Sequence, residues 1–263
     1  MTDEKHTPSL FAEIGNDEEF KERYGELIGS GMSAVIYAKG GIAAKVFREG
    51  QIKKQAFQEA YTMTGVEDMG IPAPRVYGVE TCCGRTVVLM DQVKGVSILD
   101  MMGENPEKAS DYLDIVVHLQ KEMHKVESWE FRPLRMLLKG NIAASPGLTP
   151  EEKTNLSQML STMPDEFYLC HGDFHGGNIL FDGESYKIID WAEVCSGSPA
   201  ADACRSYLDY CMLNAEIAEK YLQKYCTATG KKREEILAWL PVVTGAVYGY
   251  LSPEAQKITR RFF

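Results

Sequence analysis

The stretch HGDFHGGNILFDGESYKIID, residues 171–190, decides the fold and organises the rest of the chain. Its polar loop, residues 171–178, is followed by two short apolar runs at 179–181 and 187–189. Asp182-Gly183 lies between these runs and is typical of a tight hairpin turn. The sequence therefore predicts two antiparallel strands, with the polar loop leading into the first of them.

Three polar side chains in this stretch have a spacing that suits one kind of chemistry. Asn178 begins the first predicted strand and Asp190 ends the second, so antiparallel pairing places them side by side. Their amide oxygen and carboxylate can share a divalent cation. Asp173, five residues before Asn178, can accept a proton. These are the groups that phosphoryl transfer requires.

The pattern His-x-Asp-x-x-x-x-Asn, followed by an Asp, resembles the catalytic loop of kinases. In the form HGDFHGGN with IIDW it resembles the aminoglycoside phosphotransferase and choline kinase families, and it is similar to small uncharacterised bacterial phosphotransferases. The protein kinases differ, because they carry Arg where this chain has Gly172 and Asp-Phe-Gly where it has Asp190-Trp191-Ala192. The matching motifs extend in the same order from Gly29 to Asp202.

The resemblance implies an α+β, bilobal protein-kinase-like fold. We expect residues 1–92 to form a small nucleotide-binding lobe with an antiparallel β-sheet and one helix. Residues 93–263 are then a larger, mainly helical lobe for catalysis and acceptor binding. With 263 residues, the chain is long enough to bury a substantial core.

A glycine-bearing turn, Gly29-Ser30-Gly31, lies between two runs that are typical of strands. By resemblance this turn covers the phosphates of a nucleotide, because backbone amides without side chains can approach phosphate oxygens. The run IAAKVF at 42–47 resembles the kinase strand whose lysine reaches the α- and β-phosphates, and this assigns Lys45 to the nucleotide. A solvated residue at a sheet edge is the alternative interpretation of Lys45.

A helix predicted at 51–68 carries an acid on its apolar face. That face recurs at spacings of three and four and comprises Ile52, Ala56, Glu59, Met63 and Val66. A carboxylate on a buried face is costly unless it is paired, and Lys45 is the expected partner. The kinase pattern contains the same lysine–glutamate pair, so periodicity and resemblance agree on Glu59. A rotated helix with Glu59 at its rim is the alternative.

Residues 91–95 fall where the related enzymes link their lobes, and backbone groups there would contact the edge of the adenine. The resemblance therefore assigns Met90, Gln92 and Val93 to the nucleotide pocket. An ordinary exit from a strand into a loop fits the same residues equally well.

The C-terminal part of the chain is predicted to be helical. Ser110 is expected to cap a helix that runs to about residue 127, and Thr149-Pro150 to open another helix. Asp202 matches the aspartate that braces the catalytic loop in the family, and it also suits the first turn of its own helix. Acids that could contact an acceptor are Glu193, Asp209 and Glu216, each of which we interpret as an ordinary surface acid.

The composition argues against several classes of protein. With 38 acidic and 28 basic residues the net charge is −10, which disfavours nucleic acid and anionic membranes as partners and mildly favours a cationic substrate. Seven cysteines without a CxxC spacing indicate free thiols in a reducing compartment, with no zinc site. The polar N-terminus differs from a signal peptide, and the longest uncharged stretch, 237–251, is too short for a bilayer span. We expect a cytoplasmic protein.

The sequence thus predicts an enzyme that transfers the γ-phosphoryl group of ATP or GTP, with Mg²⁺, to a hydroxyl of a small molecule. A cationic aminoglycoside is one candidate acceptor. Asp173 would be the catalytic residue, and Asn178 and Asp190 would be the metal ligands. A choline-, ethanolamine- or sugar-type metabolic kinase is an alternative, as is a nucleotide-binding regulator without transfer activity. The acceptor, the preferred nucleotide and the oligomeric state stay open.

Overall fold

The computed structural model describes residues 17–31, 33–51 and 53–263 of the chain. They form two compact units, one that ends at Lys94 and one that begins at Gly95. Among these residues, no helix combines the length and the apolar character that crossing a bilayer requires.

The N-terminal unit is a five-stranded antiparallel sheet with a helix on each face. Its elements are α1 (Asp17–Tyr24), β1 (Glu26–Ser30), β2 (Ala34–Lys39), β3 (Ile42–Phe47), α2 (Lys53–Asp68), β4 (Val76–Cys82) and β5 (Arg85–Asp91). The strands lie in the order β1-β2-β3-β5-β4. Gly40 and Gly41, with φ of 63° and 87°, form the tight turn between β2 and β3, as a two-residue hairpin loop requires.

The two faces of this sheet bury different helices, because successive side chains of a strand point to opposite sides. Tyr37 and Val46 pack with Phe20 of α1 on one face. Phe47 packs with Ala56 of α2 on the other. The antiparallel sheet confirms the expected architecture, but the sequence predicts one helix here and the structure has two, because α1 covers the face opposite α2.

The buried face of α2 is the one that the spacing of its residues predicts. Ala56, Glu59, Met63 and Val66 are all buried in the structure, whereas Ile52 lies outside the described residues. Glu59 is therefore a carboxylate on an apolar face, and the alternative of a rotated helix is wrong.

The C-terminal unit is mainly helical and contains two small sheets. Its first elements are β6 (Val96–Ser97), α3 (Ile98–Glu104), α4 (Ala109–Met123), α5 (Leu134–Ala144), α6 (Pro150–Thr162) and β7 (Tyr168–Cys170). Next come β8 (Ile179–Phe181), β9 (Tyr186–Ile188), β10 (Cys195–Gly197) and α7 (Pro199–Leu213). The last are α8 (Ala215–Thr229), α9 (Arg233–Leu237), α10 (Leu240–Val247) and α11 (Pro253–Thr259).

The central stretch folds as the predicted hairpin. Strands β8 and β9 are antiparallel, with Ile179 opposite Ile188 and Phe181 opposite Tyr186. In the turn, the Asp182 carboxylate accepts hydrogen bonds from the amides of Glu184 and Ser185. Strand β6 extends this sheet along β8, while β7 pairs with β10 in a separate two-stranded sheet. The polar loop therefore connects the two sheets.

Two expectations about helix ends have different outcomes. Thr149 does cap α6, in a capping box with Glu152. Ser110, however, lies inside α4, which begins at Ala109 and ends at Met123. A 3₁₀ turn at Pro106–Lys108 leads directly into α4, so the helix begins without a side-chain cap. The helix ends early because the following backbone pairs with β7, through a hydrogen bond from the Leu169 amide to the Val126 carbonyl (2.8 Å).

Candidate active site

The loop that follows β7 is held by a buried histidine. His171 is fully buried, and its Nε2 lies 3.0 Å from the Ile189 carbonyl oxygen. Its Nδ1 accepts a hydrogen bond from the Asp173 amide (3.3 Å). Nε2 must donate to a carbonyl while Nδ1 accepts, so the ring is neutral, and burial lowers its pKa accordingly. His171 thus ties the loop to the chain just before Asp190.

A second brace comes from Asp202 in the first turn of α7. Its Oδ1 accepts a hydrogen bond from the Gly172 amide (2.7 Å), while its Oδ2 lies 3.1 Å from Gln120 Nε2 and 2.9 Å from His124 Nε2. Burial acts to raise the pKa of Asp202, but its hydrogen bonds, led by that of His124, hold the pKa below the ordinary value. An ionised carboxylate therefore fixes the loop backbone.

Gly172 suits this position because of its backbone and its surroundings. Its φ of 81° is in the left-handed region, which favours glycine. A Cβ added there would lie 2.4 Å from the Glu193 carbonyl oxygen. The loop can therefore pack tightly against the segment that follows Asp190.

Asp173 lies in a strongly charged environment. Its Oδ1 is 2.6 Å from Arg205 Nη2 of α7, and its Oδ2 is 3.8 Å from His175 Nε2. Burial acts to raise the pKa of the Asp173 carboxyl, but the neighbouring His175 and the charge of Arg205 hold it well below the usual range. The carboxylate is consequently ionised at neutral pH and can accept a hydrogen bond from a hydroxyl group.

Asn178 and Asp190 are brought together by the hairpin. The Ile189 amide donates a hydrogen bond to the Asn178 carbonyl oxygen (2.9 Å), which places the adjacent Asp190 beside Asn178. The Asn178 side-chain Nδ2 donates to the Asp173 carbonyl oxygen (2.9 Å). This orientation leaves the amide oxygen of Asn178 as the atom that can bind a cation. An amide oxygen and a carboxylate are hard oxygen donors, so the pair fits Mg²⁺.

Asp190 has an unusual backbone conformation. Its φ and ψ are 61° and 63°, in the left-handed region. A side-chain-bearing residue rarely adopts this region, and such strain persists where the surrounding structure imposes it. The conformation occurs at the turn from the hairpin into the 3₁₀ segment Trp191–Glu193.

In the N-terminal unit, the expected partner of Glu59 is present. Lys45 Nζ lies 2.5 Å from Glu59 Oε1, with the two side chains only 11% and 6% exposed. A pair this buried is retained only with close geometry, since both charges lose their hydration. Lys45 lies on β3, opposite Ile36 and Val88 of the flanking strands, so the interpretation as a solvated edge residue is wrong.

The glycine turn lies where β1 ends. Gly29 and Ser30 pair with β2, and the Gly31 amide donates to the Ala34 carbonyl oxygen (2.8 Å). Arg48 holds this turn through Ser30 Oγ (2.8 Å) and the Gly31 carbonyl oxygen (3.0 Å). A Cβ at Gly29 or Gly31 would meet only ordinary van der Waals contacts at 3.6 Å or more. The described neighbours of these glycines therefore do not exclude a side chain there.

The residues assigned to the adenine lie at the end of β5. Met90 is buried in the strand, opposite Ala43 and Val76. The Gln92 amide donates to the Gly41 carbonyl oxygen (2.8 Å), so this donor is already engaged within the sheet. Val93 follows in the irregular segment after β5.

The structure also contains site residues that the sequence analysis missed. Arg205 contacts Asp173 and also pairs with Asp209, whose side chain is largely buried, so the interpretation of Asp209 as an ordinary surface acid is wrong. Burial raises the pKa of Asp209 to about 6. Asp202, Arg205 and Asp209 are spaced by three and four residues on α7 and hence share one face. Three charges on one face of an otherwise apolar helix are a signal that the sequence did offer.

Comparisons with solved structures agree with this fold. A thermostable mutant of aminoglycoside phosphotransferase APH(4)-Ia, in ternary complex with ADP and hygromycin B, is 13% identical with a TM-score of 0.69, covering 94% of this chain and 97% of that one. Choline kinase LicA from Streptococcus pneumoniae is 12% identical with a TM-score of 0.65, covering 93% and 95%. A choline/ethanolamine kinase family protein from Mesorhizobium loti is 14% identical with a TM-score of 0.64, covering 95% and 90%. These likenesses show the bilobal kinase-like fold.

A search of the curated proteins found no match. The family comparison is more informative, because the model of the phosphotransferase enzyme family matches residues 25–237, well over half of the chain. The matched range includes the glycine turn, the Lys45–Glu59 pair, the polar loop and the hairpin. The chain therefore belongs to the phosphotransferase enzyme family, which makes it a small-molecule kinase.

Proposed function

We propose that the protein transfers the γ-phosphoryl group of ATP or GTP to a hydroxyl group of a small molecule, with Mg²⁺. The observation that carries this proposal is the arrangement around Asp173. An ionised carboxylate lies on a loop whose backbone is fixed by Asp202 and His171. The side-chain amide of Asn178 donates a hydrogen bond to the Asp173 carbonyl oxygen of this loop. Such fixed positioning is the main protein contribution to phosphoryl transfer.

Asp173 is the group that we assign to the acceptor. Its carboxylate would accept a hydrogen bond from the attacking hydroxyl and thereby orient the oxygen toward the phosphorus. As the new oxygen–phosphorus bond forms, the bond from the γ-phosphorus to the oxygen bridging it to the β-phosphate breaks. The nucleoside diphosphate leaves with that oxygen, and the proton of the hydroxyl passes to the carboxylate. Since the transition state of this reaction is loose, orientation contributes more than basicity. A carboxylate with a lowered pKa, as found here, is suited to orientation.

Asn178 and Asp190 are the proposed ligands of Mg²⁺. When bound, this cation neutralises charge on the phosphate oxygens. Asn178 would supply its amide oxygen and Asp190 its carboxylate. The hydrogen bond between the Ile189 amide and the Asn178 carbonyl keeps these two ligands on adjacent backbone.

Groups of the N-terminal unit are proposed to bind the nucleotide. Lys45, oriented by Glu59, would contact the α- and β-phosphates. The turn Gly29-Ser30-Gly31 would cover the phosphates. The described neighbours of Gly29 and Gly31 leave room for a side chain, so the close approach of a phosphate, rather than packing within the protein, would account for glycine there. Met90, Gln92 and Val93 would line the adenine site.

For the acceptor, we propose a cationic alcohol as the first class to test. The net charge of the chain is −10, which mildly favours a cationic acceptor. The similar structures include an aminoglycoside phosphotransferase bound to hygromycin B and a choline kinase. A choline-, ethanolamine- or sugar-type metabolic kinase is the second candidate.

The proposal is tested by measuring nucleotide consumption with aminoglycosides, choline-like alcohols and sugars, each with ATP and with GTP. We expect acceptor-dependent turnover with Mg²⁺ that stops on chelation, and a phosphate ester of the acceptor in the ³¹P NMR spectrum. Tight binding of nucleotide without turnover on any acceptor would favour a regulator instead. Failure to bind either nucleotide would contradict the whole proposal.

Replacing Lys45 with Met is expected to raise the Kd of the Mg-nucleotide about 10- to 100-fold, because a hydrogen bond to a charged group contributes about 1.5–3 kcal/mol. The variant should also lose stability, since it removes one partner of a buried ion pair. Nucleotide titration and chemical unfolding measure the two effects.

A double variant, Lys45→Met with Glu59→Leu, separates these two effects. Replacing both members of a buried pair by apolar residues restores stability, but it cannot restore a phosphate contact. If the double variant binds nucleotide as tightly as the wild type, Lys45 has a structural role only.

A further inference from the structure

The carboxylate of Asp173 is held by a helix through a single guanidinium group. Arg205 of α7 directs Nη2 to Asp173 Oδ1 (2.6 Å) and Nη1 to Asp209 Oδ1. Its side chain is only 18% exposed, compared with 30% for Asp173. The guanidinium is thus enclosed between two carboxylates, one on the polar loop and one on its own helix.

The same helix also fixes the backbone next to Asp173. Asp202, one turn before Arg205, accepts the hydrogen bond of the Gly172 amide. Because a helix is rigid, Asp202 and Arg205 hold the loop backbone and the Asp173 side chain in a constant relation. Helix α7 therefore determines where the proposed catalytic carboxylate points.

Asp209 explains why Arg205 contacts only one oxygen of Asp173. A guanidinium facing a single carboxylate tends to form two parallel hydrogen bonds, which engage both oxygens. Here Asp209 takes Nη1, so that Nη2 alone is directed to Asp173 Oδ1. Among the described residues, the contacts of Asp173 Oδ2 are longer, with Asn178 Nδ2 at 3.4 Å and His175 Nε2 at 3.8 Å.

The surroundings of the second oxygen of Asp209 bear on its pairing with Arg205. Asp209 Oδ2 is buried and has no hydrogen-bond partner within the described part of the chain. Leaving a buried carboxylate oxygen unsatisfied is costly. Asp209 Oδ1 contacts Arg205, so holding Arg205 is a role that accounts for a carboxylate at this buried position.

We propose that Arg205, held by Asp209, is a positioning residue that presents Oδ2 of Asp173 to the acceptor hydroxyl. The inference rests on the proposed function, since it concerns the same carboxylate. Arg205 acts through Asp173 and needs no contact with the substrate. Asp209 prevents the guanidinium from engaging both Asp173 oxygens.

A double-mutant cycle tests this inference with the variants Arg205→Gln, Asp173→Asn and the combination of the two. Arg205→Gln alone is expected to lower kcat by up to about 10²-fold, the effect of a small misplacement of a reacting group. The Kd of the Mg-nucleotide should stay within about twofold, because Arg205 acts only on Asp173. In the Asp173→Asn background, Arg205→Gln should cause no further loss of kcat.

Two further variants extend the test. Arg205→Lys keeps the positive charge but lacks the planar guanidinium, whose N–H groups reach both carboxylates. Its kcat should therefore lie between those of Arg205→Gln and the wild type. Asp209→Asn should lower kcat in the wild type and not in the Arg205→Gln background. If Arg205→Gln does not fold, a second double-mutant cycle with Asp209→Asn, Asp173→Asn and their combination replaces it. Asp209→Asn should then lower kcat in the wild type but not in the Asp173→Asn background. Arg233→Gln, at the exposed pair with Glu219, is the matched control and should leave kcat unchanged.

The inference is overturned if Arg205→Gln lowers kcat equally in both backgrounds, or if it weakens nucleotide binding as much as it lowers kcat. A full recovery by Arg205→Lys would also overturn it, because charge alone would then suffice. These failures are distinct from failure of the proposed function, in which Asp173→Asn itself would keep normal turnover.

Discussion

Asp173→Asn is expected to lower kcat by about 10²- to 10⁴-fold, because it removes the group that orients the acceptor hydroxyl and receives its proton. The change preserves shape, so the fold and the nucleotide site should be unaffected. Arg205 offers only donors and requires an oxygen at the position of Oδ1. The asparagine NH₂ group must then occupy the position of Oδ2, where it cannot accept a hydrogen bond from the acceptor hydroxyl.

Steady-state kinetics measured with nucleotide titration would detect this effect. We expect kcat to fall while the Kd of the Mg-nucleotide changes by less than about twofold, since the lost interaction forms only with the acceptor. Asp111→Asn, at an exposed position in the first turn of α4, provides a matched control. Retention of more than one tenth of wild-type kcat in Asp173→Asn would show that the carboxylate is dispensable.

Asp202→Asn is expected to lower the free energy of unfolding by about 3–5 kcal/mol, the cost of breaking a buried charged network. The carboxylate accepts hydrogen bonds from the Gly172 amide and from the side chains of Gln120 and His124. An asparagine has only one oxygen, so its NH₂ group would face at least one of these donors. Chemical unfolding at neutral pH measures the loss, with Asp111→Asn again as the surface control.

The stabilisation by Asp202 also has a defined dependence on pH. The pKa of this group is below its ordinary value in the folded protein, and the pKa of an unfolded aspartate is about 3.9. The contribution is therefore complete above the unfolded pKa and is lost as the pH falls through the folded pKa. Across this acidic range the stability of Asp202→Asn should vary less than that of the wild type. Parallel curves for the two proteins would contradict an ionised Asp202.

The sequence predicts the central hairpin well because the information there is local. Strands β8 and β9 and their turn lie within ten residues, so apolar runs and Asp182-Gly183 suffice to place Asn178 next to Asp190. Helical periodicity places Glu59 on an apolar stripe, where a single acid needs a partner, and the resemblance to kinases names Lys45 as that partner. The cap at Thr149 is likewise a short local pattern.

Contacts made through tertiary packing are harder to predict. Arg205 is 32 residues from Asp173, and its pairing depends on how α7 packs against the loop. The predicted start of α4 at Ser110 is wrong for another physical reason. A serine near the start of an apolar stripe also occurs inside helices. What decides that boundary is the preceding 3₁₀ turn, Pro106–Lys108, which the local composition does not indicate.

The left-handed backbone of Asp190 implies a conflict between the stability of the fold and the activity of the enzyme. A glycine at this position would relieve strain of about 1–2 kcal/mol, while it would remove the proposed ligand of Mg²⁺. Selection for heat resistance alone would consequently favour loss of Asp190, whereas selection for turnover would retain it. Libraries of stabilised variants should therefore accumulate inactive members at this codon, unless each round also requires product formation.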